Sequence, residues 1–253
     1  MIDLSVIIPT FNAKGSARAT VDLLSGKLAG ENLRAEVLLV DDGSRAEERP
    51  DPASAPPRAR FIQLDRNRGK GYAVREGLRA ASGRVRIFTD VDLPYGVDSI
   101  MECYERLNRG DVALVYGDRS LPESKILSRL RKRRRLSSVI FRGAVFTIAG
   151  LSQPDTQCGI KGMRGDVASS ILPLLTVDGF AFDVEIFRCA LDNGLSTAPQ
   201  PVHLANGDDS TVRLVRDSTA MLRDLVAIRA RSLLGKYRLE NEELVASAAI
   251  EKA

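Results

Sequence analysis

The chain contains little of the chemistry on which many enzymes and secreted proteins depend. Its 253 residues include three cysteines, one histidine and no tryptophan. Cys103, Cys158 and Cys189 lack the paired spacing of a disulfide framework or a zinc site, so we expect a reducing, cytoplasmic environment. Because His203 is the single histidine, Cys158 has no visible partner for nucleophilic catalysis, and we interpret it as a small packed residue.

Long apolar stretches are also absent. No uninterrupted apolar run reaches the roughly 18 residues that span a bilayer, and no basic segment precedes the first apolar strand. We therefore expect no signal peptide and no membrane-spanning helix, so that any membrane contact is peripheral, on the cytoplasmic face. The hydrophobic content of 44% is ordinary for a globular core, and the length suits one large α/β domain or two small ones.

Short apolar runs alternate with segments of helical spacing along the first half of the chain. The predicted strands are Leu4–Ile8, Val37–Val40, Phe61–Leu64, Val85–Phe88 and Val112–Tyr116. The predicted helices among them are Ala17–Leu28, Gly71–Ala81 and Val97–Leu107. This alternation predicts an α/β fold with a doubly wound, mostly parallel sheet flanked by helices. Amphipathic helices are expected nearer the C-terminus, over Leu121–Gly150 and Ser218–Leu234.

Two carboxylates, Asp90 and Asp92, directly follow the apolar strand Val85–Phe88. On an extended backbone alternate side chains share a face, so these carboxylates are expected to converge. Like charges held close together repel each other unless a cation lies between them, and carboxylates favour a hard ion such as Mg²⁺ or Mn²⁺. Such an ion also binds substrate phosphates, which predicts a nucleotide-diphosphate site. A second acidic pair, Asp41 and Asp42, follows an earlier strand and is expected at the same edge of the sheet.

The formal net charge of +4 is unevenly distributed, because Arg131–Arg135 is an unbroken basic block. The block can be a solvated helix face, a nucleic-acid surface or a membrane-surface helix. Few aromatic residues interleave with its arginines, which disfavours nucleic acid. Apolar residues flank the block on both sides, so we favour a basic helix over residues 125–146 that contacts an anionic membrane surface.

Four motifs follow one another in the first part of the chain. They are SVIIPTFNA at Ser5–Ala13, LLVDDGS at Leu38–Ser44, NRGKGYAVREG at Asn67–Gly77 and FTDVD at Phe88–Asp92. Together they resemble the family 2 inverting glycosyltransferases of the GT-A fold. Three later segments resemble in particular dolichyl-phosphate mannose synthase and dolichyl-phosphate glucosyltransferase: DTQCGIKGM at Asp155–Met163, GFAFDVEI at Gly179–Ile186 and the stretch Asp208–Arg229.

The resemblance implies a single GT-A domain over residues 1–235, followed by a tail at 236–253. Within it, residues 1–118 are expected to form the nucleotide-sugar half and residues 119–235 the acceptor and membrane-facing half. With this resemblance, the residues expected to bind the nucleotide sugar are Pro9, Phe11, Asn12, Asp41, Asp42, Lys70, Asp90 and Val91. The residues expected at the acceptor are Asp155, Gln157, Ser210 and Arg213.

The residues expected to take part in catalysis are Asp92, Asp183, Arg119 and Arg213, with the metal held by Asp90 and Asp92. Asp183 is preferred to Glu185 because only one of these two acids, at the start of a predicted helix, can comfortably face the pocket. The resemblance implies direct transfer of a sugar with inversion at the anomeric carbon. The metal and the basic groups would stabilise the departing nucleotide diphosphate.

UDP-glucose and GDP-mannose are both open as donors, and the motif DTQCGIK slightly favours UDP-glucose. A polyprenyl phosphate has a second pKa of about 6, so it arrives as a nucleophile and needs no strong base. A chain rich in arginine with one histidine suits such an acceptor. Two alternatives remain: the same fold acting on a soluble hydroxyl acceptor, or a non-catalytic protein that binds nucleotide sugars or nucleic acid. Leu93 stands where mannose synthases usually have a polar residue, so the resemblance does not fix the metal coordination.

Overall fold

The computed structural model describes residues 1–126, 142–152, 155–204 and 214–240. The strands in these ranges are β1 (Leu4–Thr10), β2 (Ala35–Asp41), β3 (Ala59–Gln63), β4 (Val85–Phe88), β5 (Leu114–Gly117), β6 (Lys125–Ile126), β7 (Lys161–Arg164), β8 (Thr197–Gln200) and β9 (His203–Leu204). Seven of them form one sheet in the order β3–β2–β1–β4–β7–β5–β8, and β6 pairs with β9. Neighbouring strands of the large sheet are parallel, except that β7 is antiparallel to both β4 and β5.

Helices cover both faces of the sheet. They are α1 (Lys14–Ala29), α2 (Lys70–Ala80), α3 (Gly96–Asn108), α4 (Gly165–Ile171), α5 (Phe182–Asp192) and α6 (Leu214–Leu233). Alternate residues of β1 face opposite sides, because Ile8 packs in a cluster with Leu24 of α1 while Ile7 packs in another with Leu78 of α2. Burial on both faces explains why the first strands are continuously apolar.

The predicted alternation of strands and helices in the first half is confirmed, with small shifts in the bounds. One shift concerns β1, which continues through Pro9 to Thr10 instead of ending at Ile8. β4 pairs with β1 only as far as the register pair Ile7 and Phe88. The missing N–H of Pro9 therefore interrupts no pairing with β4, and the strand continues beside β2.

β7 is absent from the sequence prediction, although it lies between β4 and β5 in the middle of the sheet. It is short, and it contains Lys161 and Gly162, which are not typical of a buried strand. Gly162 is needed because a Cβ there would lie 2.6 Å from Sγ of Cys103 and 2.7 Å from Cδ1 of Leu107. The glycine therefore lets α3 pack directly against β7.

The second half departs further from the prediction. A helix is expected over 125–146, but Lys125–Ile126 forms β6 and Val145–Ala149 forms a π-helical turn. The basic block lies outside the described residues. A tail from residue 236 does not fit the structure, because Tyr237 is fully buried and Leu239 N–H donates to Oδ1 of Asn193 at 2.8 Å. In the part of the chain that the structure describes, the helices are too short or too polar to cross a membrane.

Candidate active site

The candidate site lies at the edge of the sheet where β1, β2 and β4 end, as expected for the carboxyl ends of parallel strands. The chain leaves β4 after Phe88 and turns at Asp90–Leu93, where Leu93 N–H donates to the Asp90 carbonyl at 3.1 Å and Leu93 has a φ of +43°. The expectation of an extended backbone here is therefore wrong. Asp90 and Asp92 lie on a turn, with Asp90 partly buried and Asp92 exposed at the rim.

Lys70, the first residue of α2, brings a positive charge to this acidic turn. Its Nζ lies 2.5 Å from Oδ1 of Asp90. Oδ2 of Asp90 faces Gly159, where a Cβ would be 2.0 Å away. Burial opposes the charge of Lys70, but the carboxylates of Asp90, Asp183 and Asp92 outweigh it and raise the pKa of Lys70. The ammonium group is therefore charged at neutral pH and lies among carboxylates.

Asp183, in the first turn of α5, pairs with a second lysine. Lys161 of β7 is fully buried, and its Nζ lies 2.8 Å from Oδ1 of Asp183 and donates to the Cys158 carbonyl at 2.6 Å. Burial raises the pKa of Asp183, and the ammonium groups of Lys161 and Lys70 oppose that rise. Ammonium and carboxylate groups thus alternate from Lys161 in the core, through Asp183 and Lys70, to Asp90 at the edge.

Glu185, two residues after Asp183, serves a different purpose. It is fully buried and accepts N–H bonds from Thr176 at 2.9 Å and Val177 at 2.8 Å, and an O–H bond from Tyr237 at 2.8 Å. Glu185 therefore ties the loop before α5 to the segment after α6. As the sequence indicates, only one of the two acids faces the strand ends, and it is Asp183.

Asp41 and Asp42, at the end of β2, are both buried but have different partners. Asp41 accepts hydrogen bonds from the N–H and the hydroxyl of Ser44, which close the turn after β2. Asp42 accepts N–H bonds from Arg68 at 3.0 Å and Gly69 at 2.8 Å. Burial raises the pKa of Asp42, and the two N–H bonds act against that rise. Asp42 therefore joins the end of β2 to the start of α2.

The turn that leads into α2 is tied on its other side to the loop before α5. The guanidinium of Arg68 pairs with Asp178 at 2.8 Å and lies 3.7 Å from the centre of the Tyr72 ring. Gly69 has a φ of +120°, and a Cβ there would lie 2.5 Å from the Asp178 carbonyl oxygen. Of the two basic residues in this turn, Lys70 is the one beside the acidic cluster.

The end of β1 combines a rigid loop with an exposed ring. Asn12 has a φ of +50°, its N–H donates to the Ser44 hydroxyl, and its side-chain oxygen accepts the N–H of Arg45. Pro9 is buried, whereas Phe11 is 47% exposed. Phe11 can therefore offer an aromatic face at this edge. On the neighbouring turn, the carbonyl of Val91 accepts a hydrogen bond from the hydroxyl of Thr20.

Arg119 and Asp155 bind each other rather than standing free. The guanidinium of Arg119 donates to both oxygens of Asp155 at 2.7 Å, and Arg119 N–H donates to one of them at 3.0 Å. Burial opposes the charge of Asp155, but the hydrogen bonds from Arg119 outweigh it and lower the pKa of Asp155. Gln157 donates to the Phe180 carbonyl at 3.3 Å. The other predicted acceptor residues, Ser210 and Arg213, lie outside the described residues.

The donor set at the edge suits a hard divalent cation that is completed by substrate. Within the described ranges, histidine, cysteine and carboxylate side chains do not gather in a group of three or more around a possible metal position. Asp90 and Asp92 nevertheless provide carboxylate oxygens at a partly exposed turn, and Mg²⁺ or Mn²⁺ can bind through one or two carboxylates with phosphates and water as the other ligands. The residues present therefore fit a cation that arrives with a nucleotide diphosphate.

Two residues of the site escape the sequence analysis. Lys161 lies in a short strand that the sequence does not predict, because its charge interrupts the apolar pattern. The signal that could have indicated it is a single lysine among apolar residues. Gly159 ends the segment DTQCG, in which the reactive side chain of Cys158 is the more obvious candidate for a functional residue. Cys158 is fully buried, and burial raises the pKa of its thiol to about 11, as expected of a packed residue.

The chain is similar to known proteins over most of its length. A model of the family described as "Glycosyl transferase family 2" matches residues 5–172. The dolichyl-phosphate beta-glucosyltransferase of Dictyostelium discoideum is 28% identical over 257 residues, which cover 95% of this chain and 78% of that protein. The protein of the same name from Saccharomyces cerevisiae is 29% identical, with 94% and 77% covered.

One solved structure shows the same architecture. Glucosyl-3-phosphoglycerate synthase from Mycobacterium tuberculosis, in complex with Mn²⁺, UDP and glucosyl-3-phosphoglycerate, aligns with a TM-score of 0.64 at 17% identity. The alignment covers 95% of this chain and 82% of that one. At this level of identity the likeness concerns the fold alone, and it confirms the expected GT-A fold.

Proposed function

Because this chain belongs to glycosyl transferase family 2, we propose that it transfers glucose from UDP-glucose to a polyprenyl phosphate at a membrane surface. The observation that carries the proposal is the cluster of Asp90, Lys70 and Asp183 at the carboxyl edge of a GT-A sheet. The name of the two relatives, dolichyl-phosphate beta-glucosyltransferase, supports both glucose and a polyprenyl phosphate. Glucose in turn favours UDP-glucose over GDP-mannose.

On the donor side, the nucleotide lies along the ends of β1 and β2. Phe11 offers its exposed ring to the base, while Asn12 and Asp42 hold the loops around it in place. Lys70 faces the diphosphate and stabilises the negative charge that develops as the nucleotide departs. A divalent cation, which Asp90 and Asp92 would hold, supplies further stabilisation of that charge when bound.

On the acceptor side, the chemistry depends on the charge that the acceptor brings. A phosphate monoester is largely dianionic near neutral pH, since its second pKa is about 6. One of its oxygens can attack the anomeric carbon directly, so proton abstraction is not needed. Asp183 then orients the acceptor end of the site instead of acting as a base. Arg119 is paired with Asp155, and the contact with the acceptor phosphate that the resemblance implies for Arg213 is kept as part of the proposal.

Contact with the membrane is supported by the surface of α6 as well as by the basic block. Leu222, Val226 and Leu233 are exposed along this helix at spacings that put them on one side. Arg223 and Lys236 are exposed nearby. Apolar side chains accompanied by positive charge suit the headgroup region of an anionic leaflet. We therefore propose a peripheral position at the cytoplasmic face of the membrane.

The decisive experiment varies donor and acceptor separately. UDP-glucose and GDP-mannose are each incubated with a short, water-soluble prenyl phosphate or with the matching prenyl alcohol, which differs only by the phosphate. The proposal expects transfer from UDP-glucose to the phosphate, little transfer to the alcohol, and loss of transfer in excess EDTA. Equal transfer to the alcohol would instead indicate a hydroxyl acceptor and a general base. Transfer from GDP-mannose alone would overturn the assignment of the donor.

A further inference from the structure

Lys161 is a buried charge whose surroundings are otherwise apolar. It lies on β7 with no exposed surface, and its Nζ is 5.7 Å from the centre of the Phe88 ring and 5.9 Å from that of Phe187. Its polar partners are the Cys158 carbonyl at 2.6 Å and Oδ1 of Asp183 at 2.8 Å. An ammonium group is costly to bury, and the two partners are what make this position tolerable.

Stability alone does not account for this pair. Replacing a buried ion pair with well-packed apolar residues of similar volume is often neutral or stabilising. Ile160, directly before β7, and Met163 on it are both buried, so apolar side chains are accommodated at this position of the sheet. The pair is also not remote from the chemistry, because Asp183 is close enough to Lys70 and Asp90 for their charges to interact.

The geometry of α5 explains what Lys161 can do for Asp183. Glu185 of the same helix is locked by Thr176, Val177 and Tyr237, so the helix itself is fixed. The carboxylate of Asp183 then has Lys161 on its core side and Lys70 on its outer side. Without the inner cation, the carboxylate would be drawn towards Lys70, which now binds Asp90.

We propose that Lys161 is a positioning residue for sugar transfer: it holds the Asp183 carboxylate at the wall of the site, and it acts on turnover through Asp183. This inference takes the identity of the acceptor from the proposed function, whereas the coupling between Lys161 and Asp183 does not depend on which acceptor is used. Lys161 is fully buried and presents no surface to a donor or an acceptor. Its removal should therefore lower kcat while leaving the affinity for the donor nucleotide unchanged.

A double-mutant cycle tests the proposal, with Lys161→Met, Asp183→Asn and the double variant. We expect Lys161→Met to lower kcat with a short prenyl phosphate at least tenfold in the parent. In the Asp183→Asn background, the same change should alter kcat less than twofold. UDP affinity from calorimetry should stay within twofold throughout. The melting temperature of each variant reports folding, and the double variant should be the more stable of the two that lack Lys161, because it leaves no unpaired buried charge.

Each other result overturns the inference. A folded Lys161→Met variant with at least half of the parental kcat would show that the lysine is dispensable. An unchanged kcat in Asp183→Asn would show that Asp183 does not contribute to turnover. A double variant with parental turnover would show that the ion pair is merely structural. Equal losses in both backgrounds would show that Lys161 acts independently of Asp183. If Lys161→Met does not fold, Lys161→Gln takes its place in the cycle, and at least half of the parental kcat in that variant overturns the inference.

The proposed function can fail without deciding this inference. If the parent protein does not use prenyl phosphate, the cycle is run on its hydrolysis of UDP-glucose or on whichever acceptor it does use. That reaction needs the same site and gives the same comparison. The donor and acceptor screen can therefore refute the proposed function without refuting the role of Lys161, and the double-mutant cycle can do the reverse.

Discussion

The Nζ atom of Lys70 lies 2.5 Å from Oδ1 of Asp90, so an ammonium group already binds one oxygen of the acidic pair. This contact joins the start of α2 to the turn after β4, two segments 20 residues apart in the sequence. It also places a positive charge beside the expected position of the donor diphosphate. Lys70 can exchange one anionic partner for another without leaving the site, which suits the stabilisation of a departing phosphate.

Asp92→Asn is expected to lower transfer at least about 100-fold, a loss typical of removing a group that stabilises transition-state charge. Asp92 is exposed, so the melting temperature should not change. The matched control is Asp111→Asn, an exposed aspartate before β5 at the opposite edge of the sheet. Initial rates with Mn²⁺, Mg²⁺ and excess EDTA provide the measurement. Equal rates with and without EDTA in the parent would refute the assignment of a metal to this turn.

Asp42→Ala is expected to affect both stability and binding, because the carboxylate accepts the N–H bonds of Arg68 and Gly69. Losing two hydrogen bonds to a charged group should reduce the free energy of unfolding by about 2–4 kcal/mol. The start of α2 then shifts with Lys70, and UDP affinity should fall at least tenfold. Urea denaturation and calorimetry measure the two effects. Asp42→Asn keeps one acceptor oxygen, so its unfolding free energy and UDP affinity should lie between those of the parent and of Asp42→Ala. Unchanged UDP affinity in Asp42→Ala would contradict the prediction.

Much of the candidate site at the carboxyl edge of the sheet could be predicted from the sequence, because each of its residues stands directly beside a strand or helix that the sequence predicts. Asp90, Asp42 and Lys70 follow or precede regular elements whose apolar pattern is clear, and the rule for parallel sheets brings such ends together. Their individual partners could not be predicted. That Asp42 binds the turn before α2, and that Asp90 packs on Gly159, follows from contacts between segments far apart in sequence.

The second half of the sheet was harder to predict for a physical reason. β7 is four residues long, and its pairing with β4 and β5 is decided by tertiary packing rather than by local preference. Lys161 in particular contradicts the expectation for a buried strand, and the ion pair with Asp183 resolves the contradiction. The sequence predicts a tail at Tyr237 for a similar reason, since its partner Glu185 is distant in sequence.

Asp155→Asn is expected to destabilise the protein by about 2 kcal/mol near neutral pH, the usual worth of hydrogen bonds to a charged group. Because the pKa of Asp155 is lowered from its ordinary value of 3.8, the unfolded state binds more protons as the pH falls through 3.8. The contribution is therefore fully present above that pH and is lost as the pH falls from there through the lower pKa of the folded state. The unfolding free energies of parent and variant should differ most near pH 7 and begin to converge as the pH falls below 3.8. Arg119→Met should remove the same pH-dependent difference; a constant gap would contradict the prediction.

Replacing Arg131–Arg135 with glutamine is expected to release the protein from anionic membranes. Each basic residue near such a surface contributes roughly 1 kcal/mol, and the attraction should fade with salt. Flotation with phosphatidylserine liposomes at low and high salt measures the effect. A control variant neutralises five exposed basic residues elsewhere, namely Lys14, Arg18, Lys27, Arg34 and Arg45. Transfer to a short soluble prenyl phosphate should survive better than transfer to a long one in liposomes. Equal flotation of parent and variant at low salt would contradict a membrane role.

Gly159→Ala is expected to move the carboxylate of Asp90 without destabilising the fold. A Cβ at this position would lie 2.0 Å from Oδ2 of Asp90, which is the mobile end of a side chain. The carboxylate must therefore move, while the backbone around it need not. We expect turnover to fall at least tenfold and the Mn²⁺ concentration needed for half-maximal activity to rise, with little change in melting temperature.

Gly26→Ala is the matched control for that substitution, because a Cβ at Gly26 of α1 meets nothing within 4 Å. It should leave turnover unchanged and raise the free energy of unfolding by up to about 1 kcal/mol, as expected for alanine in place of glycine inside a helix. Parental turnover and parental Mn²⁺ dependence in Gly159→Ala would show that the orientation of Asp90 against Gly159 does not matter. A fall in stability as large as the fall in activity would show that Gly159 serves the core. A loss of activity alone ties the glycine to the acidic turn, and through that turn to the departing nucleotide.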